Sequence, residues 1–216
     1  MKKMFFIDFD GTVTKEDVCL VMVENFCREG WKEINDKWER GEISTEECAR
    51  QTFKLFNAAE DDLYRVLDTI EIDDFFKPFI ELCQQEGYEV YILSDGYDLM
   101  IEYILNKYGL SYLPFFANRL IINNNRYSIK CPNINPACGQ CGTCKKNILK
   151  SLKKENRQVI YIGDGYSDIC VSREADLVFA KGFLLDYCRS NNIQVVPFGD
   201  FGDIIDQLKA DNQSQP

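Results

Sequence analysis

Three short apolar runs, residues 4–7, 88–93 and 159–162, each stop at a polar turn carrying glycine and then give way to a helical pattern. Runs of this length without alternation suit strands buried on both faces, as parallel strands are. The turns read Asp8-Phe9-Asp10-Gly11, Ser94-Asp95-Gly96 and Gly163-Asp164-Gly165. Weaker strands are predicted over 177–180 and 194–197. Strand, turn and helix in this repeated order predict an α/β fold with a three-layer, Rossmann-like parallel sheet. Ligands of such sheets sit outside the carboxyl ends of the strands.

Between residues 14 and 73 the strand signal disappears. Leu63, Val66, Leu67 and Ile70 follow helical spacing, as do Val18, Val21 and Met22 with Phe26 one turn on. Ser44-Thr45-Glu46-Glu47 reads as a capping box that opens a further helix through Phe53 and Phe56. Connections between a strand and the next helix are normally short, so this stretch predicts a small helical cap inserted after the first strand. The expected division is a core of residues 1–13 and 74–216 with a cap of residues 14–73, placed to exclude water and select the leaving group. Residues 117–122 and 126–129 around Asn123-Asn124-Asn125 predict a hairpin forming a flap or sheet edge. From about Ala210 the polar tail is expected to fray.

A net charge of −10 and a pI near 4.7 argue against binding nucleic acid, whose phosphates are met by Lys and Arg, and favour a small-molecule partner. The chain has no histidine, which excludes Ser-His and Cys-His nucleophiles and histidine-ligated metals. The apolar stretch after Met1-Lys2-Lys3 ends at Asp8, too early for a signal peptide or a membrane span, so a cytoplasmic protein is expected. Its ten cysteines are then read as free thiols by default. Six are scattered through helical stretches, while Cys131, Cys138, Cys141 and Cys144 cluster. That cluster suits a loop wrapping structural zinc, but it is not two separated Cys-x-x-Cys pairs, and free thiols remain the expectation.

Alternation along an extended chain sends Asp8 and Asp10 to one side and Phe9 to the other. The plain alternative is an Asp-Gly turn with two solvated charges. Asp164 and Asp168 stand four apart across a strand end and the next helical turn, where they either cap the helix or face the first pair. Four converging carboxylates would repel one another, and a hard cation such as Mg²⁺ offsets this. Ser94 offers a hydroxyl, and Gly96 offers backbone N–H groups, to phosphate oxygens. Lys145 and Lys146 fall at the start of a helix, where positive charge is disfavoured unless an anion is present.

The ordered set resembles the haloacid dehalogenase superfamily of phosphohydrolases. Asp8-Phe9-Asp10-Gly11-Thr12 resembles its first motif, Ser94 its second, Lys145 its third, and Gly163-Asp164 through Asp168 its fourth. The stretch Cys138-Gly139-Gln140-Cys141-Gly142-Thr143-Cys144-Lys145 with the helical insert resembles the subgroup that includes methylthiopentenyl-phosphate phosphatases of methionine salvage. Phosphoserine and phosphocholine or phosphoethanolamine phosphatases are its neighbours. The resemblance implies a small phosphorylated metabolite as partner, Asp8 as nucleophile and Asp10 as acid and base. It also implies Mg²⁺ on Asp8, the Asp10 carbonyl and Asp164 with Asp168 nearby, and a phosphate held by Gly11, Thr12, Ser94, Gly96 and Lys145. Two readings of another class are an aspartate-phosphorylated signalling module, which leaves Asp10 and the insert unused, and a cysteine-cluster metal-binding protein.

Overall fold

In the computed structural model, which describes residues 2–213, the first apolar run becomes β1 (Lys3–Ile7), buried at every residue. Four helices follow, α1 (Val18–Phe26), α2 (Trp31–Glu39), α3 (Thr45–Thr52) and α4 (Glu60–Thr69), before the chain returns through α5 (Phe76–Glu86) to β2 (Glu89–Tyr97). Then come α6 (Asp98–Lys107), β3 (Phe115–Asn123), β4 (Arg126–Lys130), α7 (Lys145–Leu152) and β5 (Gln158–Gly163). A 3₁₀ turn at Tyr166–Asp168 leads into α8 (Ile169–Ser172), β6 (Leu177–Ala180), α9 (Gly182–Ser190), β7 (Val195–Pro197) and α10 (Phe201–Gln213). Helix α10 thus continues past Ala210, where fraying was expected. Residues 214–216 lie outside the described residues.

The sheet order is β4-β3-β2-β1-β5-β6-β7, parallel except for β4. Alternation divides its side chains between two cores. Phe5, Ile7, Ile92, Ile160 and Ile162 face α5, α6 and α10, whereas Met4, Phe6, Leu93, Val159 and Tyr161 face α7, α8 and α9. That double burial is why these strands read as continuous apolar runs. The predicted hairpin is present, with Asn124 and Asn125 at φ of 50° and 58° as a tight two-residue turn requires. It is part of the main sheet, because β3 pairs in parallel with β2 and β4 forms the edge.

The residues between β1 and α5 begin and end at a narrow neck. Thr14 bridges Ile72, the Asp73 N–H donates to the Val13 carbonyl at 2.9 Å, and the Lys15 N–H donates to the Glu71 carbonyl at 2.9 Å. Ser44 caps α3 as predicted, accepting the Glu47 N–H at 3.2 Å. The helix stops at Thr52, earlier than expected. Phe53 and Phe56 instead close over Tyr127 of β4, with ring centroids 5.8 and 4.6 Å away, and this aromatic contact competes successfully with another helical turn. Among the described residues no helix is long and apolar enough to cross a membrane.

The expected turn Ser94-Asp95-Gly96 is a correction: these residues lie inside β2, which extends to Tyr97. The pairing runs Leu93↔Phe116 and then Tyr97↔Asn118, so β2 advances four residues while β3 advances two. The excess is a bulge, a device that re-aims side chains at a strand end. It turns Ser94 and Asp95 toward the mouth of the sheet.

Candidate active site

Asp8 is the first residue beyond β1, fixed by its N–H donating to the Ile162 carbonyl at 2.9 Å. Its side chain is buried, and Oδ1 accepts the Phe9 N–H at 2.8 Å and the Lys145 ammonium at 2.7 Å. Phe9 turns into the core and Asp10 returns to the side of Asp8, as alternation predicted. Asp10 Oδ2 accepts the Ser94 hydroxyl at 3.0 Å. Gly11 then takes a φ of 72°, and a Cβ there would stand 2.7 Å from Asp164 Oδ2. A Cβ on Gly96 would stand 2.6 Å from Asp10 Oδ2. The carboxylates approach the backbone this closely only because both positions are glycine.

Lys145 opens α7 and is 3% exposed. Its ammonium donates to Asp8 at 2.7 Å, to Asp168 at 2.6 Å and to Ser167 at 2.8 Å, which uses all three N–H bonds. Two carboxylates therefore supply the anion that a lysine at a helix start calls for. Burial alone would push this ammonium down, but Asp168 and Asp8 outweigh it and hold Lys145 above its ordinary value. Lys146 lies outside the site, paired with Glu174 at 3.0 Å.

Asp168 is fully buried and saturated. Its Oδ1 accepts Lys145 and the Tyr161 hydroxyl at 2.5 Å, and its Oδ2 accepts the N–H groups of Asp164 and Gly165 at 3.0 Å each. Asp164 Oδ1 accepts the Thr12 hydroxyl at 2.7 Å. Burial, then the neighbouring Asp168, raises the Asp164 carboxyl to about 6. Asp8 is raised well above its ordinary value by burial, with Asp168 adding to it and Lys145 opposing it.

Oxygens of Asp8, Asp164 and Asp168 all lie within 4.8 Å of one another. Among the described residues, Asp8 Oδ2 and Asp164 Oδ2 accept no hydrogen bond, whereas both oxygens of Asp168 are occupied. Two open carboxylate oxygens, with no sulfur or nitrogen donor, fit Mg²⁺, which takes one or two carboxylates and keeps its waters. Asp168, with both oxygens occupied, sits behind that pair as a brace. The Asp10 carboxyl groups with Asp17 and Cys19, and not with Asp8, Asp164 and Asp168.

Three expected phosphate contacts are already committed in this arrangement. Thr12 is buried with its hydroxyl on Asp164, the Gly96 N–H donates to Ser94 Oγ at 2.8 Å, and the Gly11 N–H donates to Thr14 Oγ1 at 3.2 Å. No three of Cys131, Cys138, Cys141 and Cys144 bring their sulfurs within 4.8 Å of one another. Half-buried Cys141 is pushed up to about 12 and Cys131 to about 11, both mainly by desolvation.

Asp8, Asp10 and Asp164 open into a cavity of about 280 Å³. Its far wall comes from α1, α2 and α3, with Leu20, Val23, Trp31, Trp38 and Ala49 facing inward, and among the described residues no Lys or Arg lines it. Asp17 was missed from the sequence although Asp directly before an apolar helix is a capping signal; it caps α1 by accepting the Leu20 N–H at 2.8 Å. Burial, then Asp17, raises Asp10 to about 7 from 3.8, with the Ser94 hydrogen bond opposing.

Between those two values folded Asp10 retains a proton that the unfolded chain has lost, so stability falls as pH rises through that window. In metal-free protein, Asp10→Asn is expected to remove this slope. It should match the wild type near pH 4 and melt about 2–4 °C higher near pH 8, the size of roughly 1 kcal/mol in a chain this long. Scanning calorimetry at the two pH values checks it, and equal melting near pH 8 would contradict it.

A family model described as Putative Phosphatase matches residues 3–196. A Bacillus mycoides (strain KBAB4) protein named 2-hydroxy-3-keto-5-methylthiopentenyl-1-phosphate phosphatase is 30% identical over 213 residues, 97% of each chain. A protein of the same name from Bacillus thuringiensis (strain Al Hakam) is 29% identical over the same shares. A solved structure described as a substrate-bound phosphoserine phosphatase complex superposes with a TM-score of 0.72 at 21% identity, covering 96% of this chain and 98% of the other. A phospho-aspartyl intermediate analogue of phosphoserine phosphatase gives the same TM-score and identity over 95% and 98%. At that identity the likeness is one of fold. The match across nearly the whole sheet shows that the chain belongs to the putative phosphatase family, a phosphatase with the haloacid dehalogenase-like α/β fold.

Proposed function

We propose that this phosphatase hydrolyses a small phosphomonoester through an aspartyl-phosphate on Asp8. The observation that carries the reading is that two carboxyls at one strand end face one cavity with different partners, Lys145 on Asp8 and Ser94 on Asp10. Asp8 is clamped by an ammonium, and Asp10 is held near neutral pH. Asp8 Oδ2 attacks phosphorus as the bond to the leaving oxygen breaks, and Asp10 gives that oxygen its proton. Asp10 then takes a proton from water, which attacks phosphorus and frees both phosphate and Asp8. Lys145 keeps Asp8 Oδ1 engaged so that Oδ2 faces the cavity. Ser94 orients Asp10 and stands beside the phosphoryl oxygens. Asp8, the Asp10 carbonyl and Asp164 would hold Mg²⁺, whose charge offsets that of the phosphate. Residues 14–73 serve as the cap.

The substrate we favour is 2-hydroxy-3-keto-5-methylthiopentenyl-1-phosphate, the compound in the relatives' names. An apolar wall suits its thioether tail, and a lining without Lys or Arg has nothing to pair with the carboxylate of phosphoserine. Trp31 and Trp38 beside Glu39 favour one second reading, a cationic head such as that of phosphocholine or phosphoethanolamine. Phosphate release from these four esters, with and without Mg²⁺, separates the readings. The enol phosphate is expected to turn over fastest, only with Mg²⁺, and Asp10→Asn should lower its kcat by about 10²–10⁴. A preference for phosphoserine would overturn the substrate reading.

A further inference from the structure

Asp95 has no part in these steps, yet its carboxylate gathers three separate segments. Oδ2 accepts the hydroxyl of Thr45, the first residue of α3, at 2.6 Å. Oδ1 accepts the Thr143 N–H at 2.7 Å and Asn118 Nδ2 at 3.2 Å, and the same Asn118 amide donates to the Asp95 carbonyl at 2.7 Å. Thr45 Oγ1 also accepts the indole N–H of Trp38, a residue of the cavity wall, at 3.0 Å. A second bridge runs alongside: the Thr45 N–H donates to the Gln140 carbonyl at 2.9 Å, and Gln140 Nε2 donates to the Ile43 carbonyl at 2.8 Å. The loop preceding Lys145 is therefore bonded to the turn preceding α3.

Charge-assisted hydrogen bonds are short and directional, and Asn118, Thr143 and Thr45 are all buried, so losing one of these partners costs more than it would at an exposed site. A shift of α2 and α3 over the cavity moves Thr45 and pulls on Asp95. Asp95 holds Thr143, two residues before the ammonium that grips Asp8.

We propose that Trp38, Thr45, Asp95 and Thr143 form a coupling relay, in which Thr45 and Asp95 are positioning residues that tie the seating of α2–α3 to the placement of Lys145. The proposal rests on the phosphatase reading of Asp8 and Lys145. The chain's two tryptophans are both in α2, so tryptophan emission, excited selectively beyond tyrosine absorption, reports on that helix.

The test compares wild type, Thr45→Val and Thr45→Ser, each with Mg²⁺ and inorganic phosphate, which has no organic tail to lie against α2. Calorimetry measures phosphate affinity, tryptophan emission measures the response of α2, and hydrolysis of a small aryl phosphate gives kcat. Phosphate is expected to shift the emission of the wild type. Thr45→Val should bind phosphate within about threefold of wild type, lose the emission shift and lower kcat about tenfold, the worth of one buried hydrogen bond. Thr45→Ser should restore both. A Thr45→Val protein that keeps the shift and the rate, a wild type without a shift, or a Thr45→Ser protein as impaired as Thr45→Val would each overturn the relay. No phosphate binding by the wild type would overturn the phosphate site itself and the relay with it. If Thr45→Val does not fold, Thr45→Ala removes the same hydroxyl with a smaller side chain and is read identically.

Discussion

Asp8→Asn is expected to lower phosphate release by about 10⁴-fold or more without unfolding the protein. The size follows from removing a nucleophile, for which the rest of the site has no substitute. Retention of the fold follows from electrostatics. Burial, Asp168 and Asp164 raise the Asp8 carboxyl well above its ordinary value, so ionising it opposes folding, and stability falls as pH rises beyond that ordinary value. An amide in its place accepts the Phe9 N–H without carrying charge, and Lys145 keeps Asp168. Steady-state rates beside thermal melts of the metal-free protein near pH 8 check both halves. A melt as high as wild type, joined to lost turnover, is the expected pair.

Lys145→Met should do the reverse, damaging stability and activity together. The side chain is almost wholly enclosed, and its ammonium faces two carboxylates at 2.7 and 2.6 Å. Methionine fills much of the space but leaves Asp8 and Asp168 without their cation. Breaking a buried ion pair from one side costs about 3–5 kcal/mol, roughly 10 °C of melting temperature in a chain of this length. The deficit should shrink toward pH 5, because Asp8, raised well above its ordinary value mainly by burial, takes up a proton as pH falls and then carries no unpaired charge. Loss of turnover of about 10²–10³ is expected from the misplaced nucleophile. Melting curves near pH 8 and pH 5 test the electrostatic origin; an equal deficit at both would point to packing alone.

Much of this was legible in the sequence because it is written locally. Asp8 and Asp10 share a side by strand alternation, and their strand announced itself by a run with no polar face. The bulge in β2 was not legible, since Ser94-Asp95-Gly96 carries an ordinary turn signal. Only pairing with β3, more than twenty residues away, keeps the chain extended there. The family resemblance implied a phosphate contact at Thr12, but its hydroxyl is taken by Asp164, 152 residues later. Asp168 was expected beside Asp164 near the cation. Its role as a brace depends on Tyr161 and Lys145, which meet it only through the packing of β5 and α7. Asp95 and Thr45 read only as parts of a turn and a capping box, because their shared side-chain network is specified by three-dimensional neighbours and not by spacing.

The account turns on a covalent phosphoryl group at Asp8, and trapping it is the most direct measurement. Asp10→Asn removes the base for the second step, so with an aryl phosphate, whose leaving group needs no proton, the first step outruns the second. Acid quench followed by intact-mass and peptide mass spectrometry should then find one phosphoryl group per chain, mapped to Asp8. A burst of aryl alcohol with no adduct, or an adduct on any other residue, would contradict it.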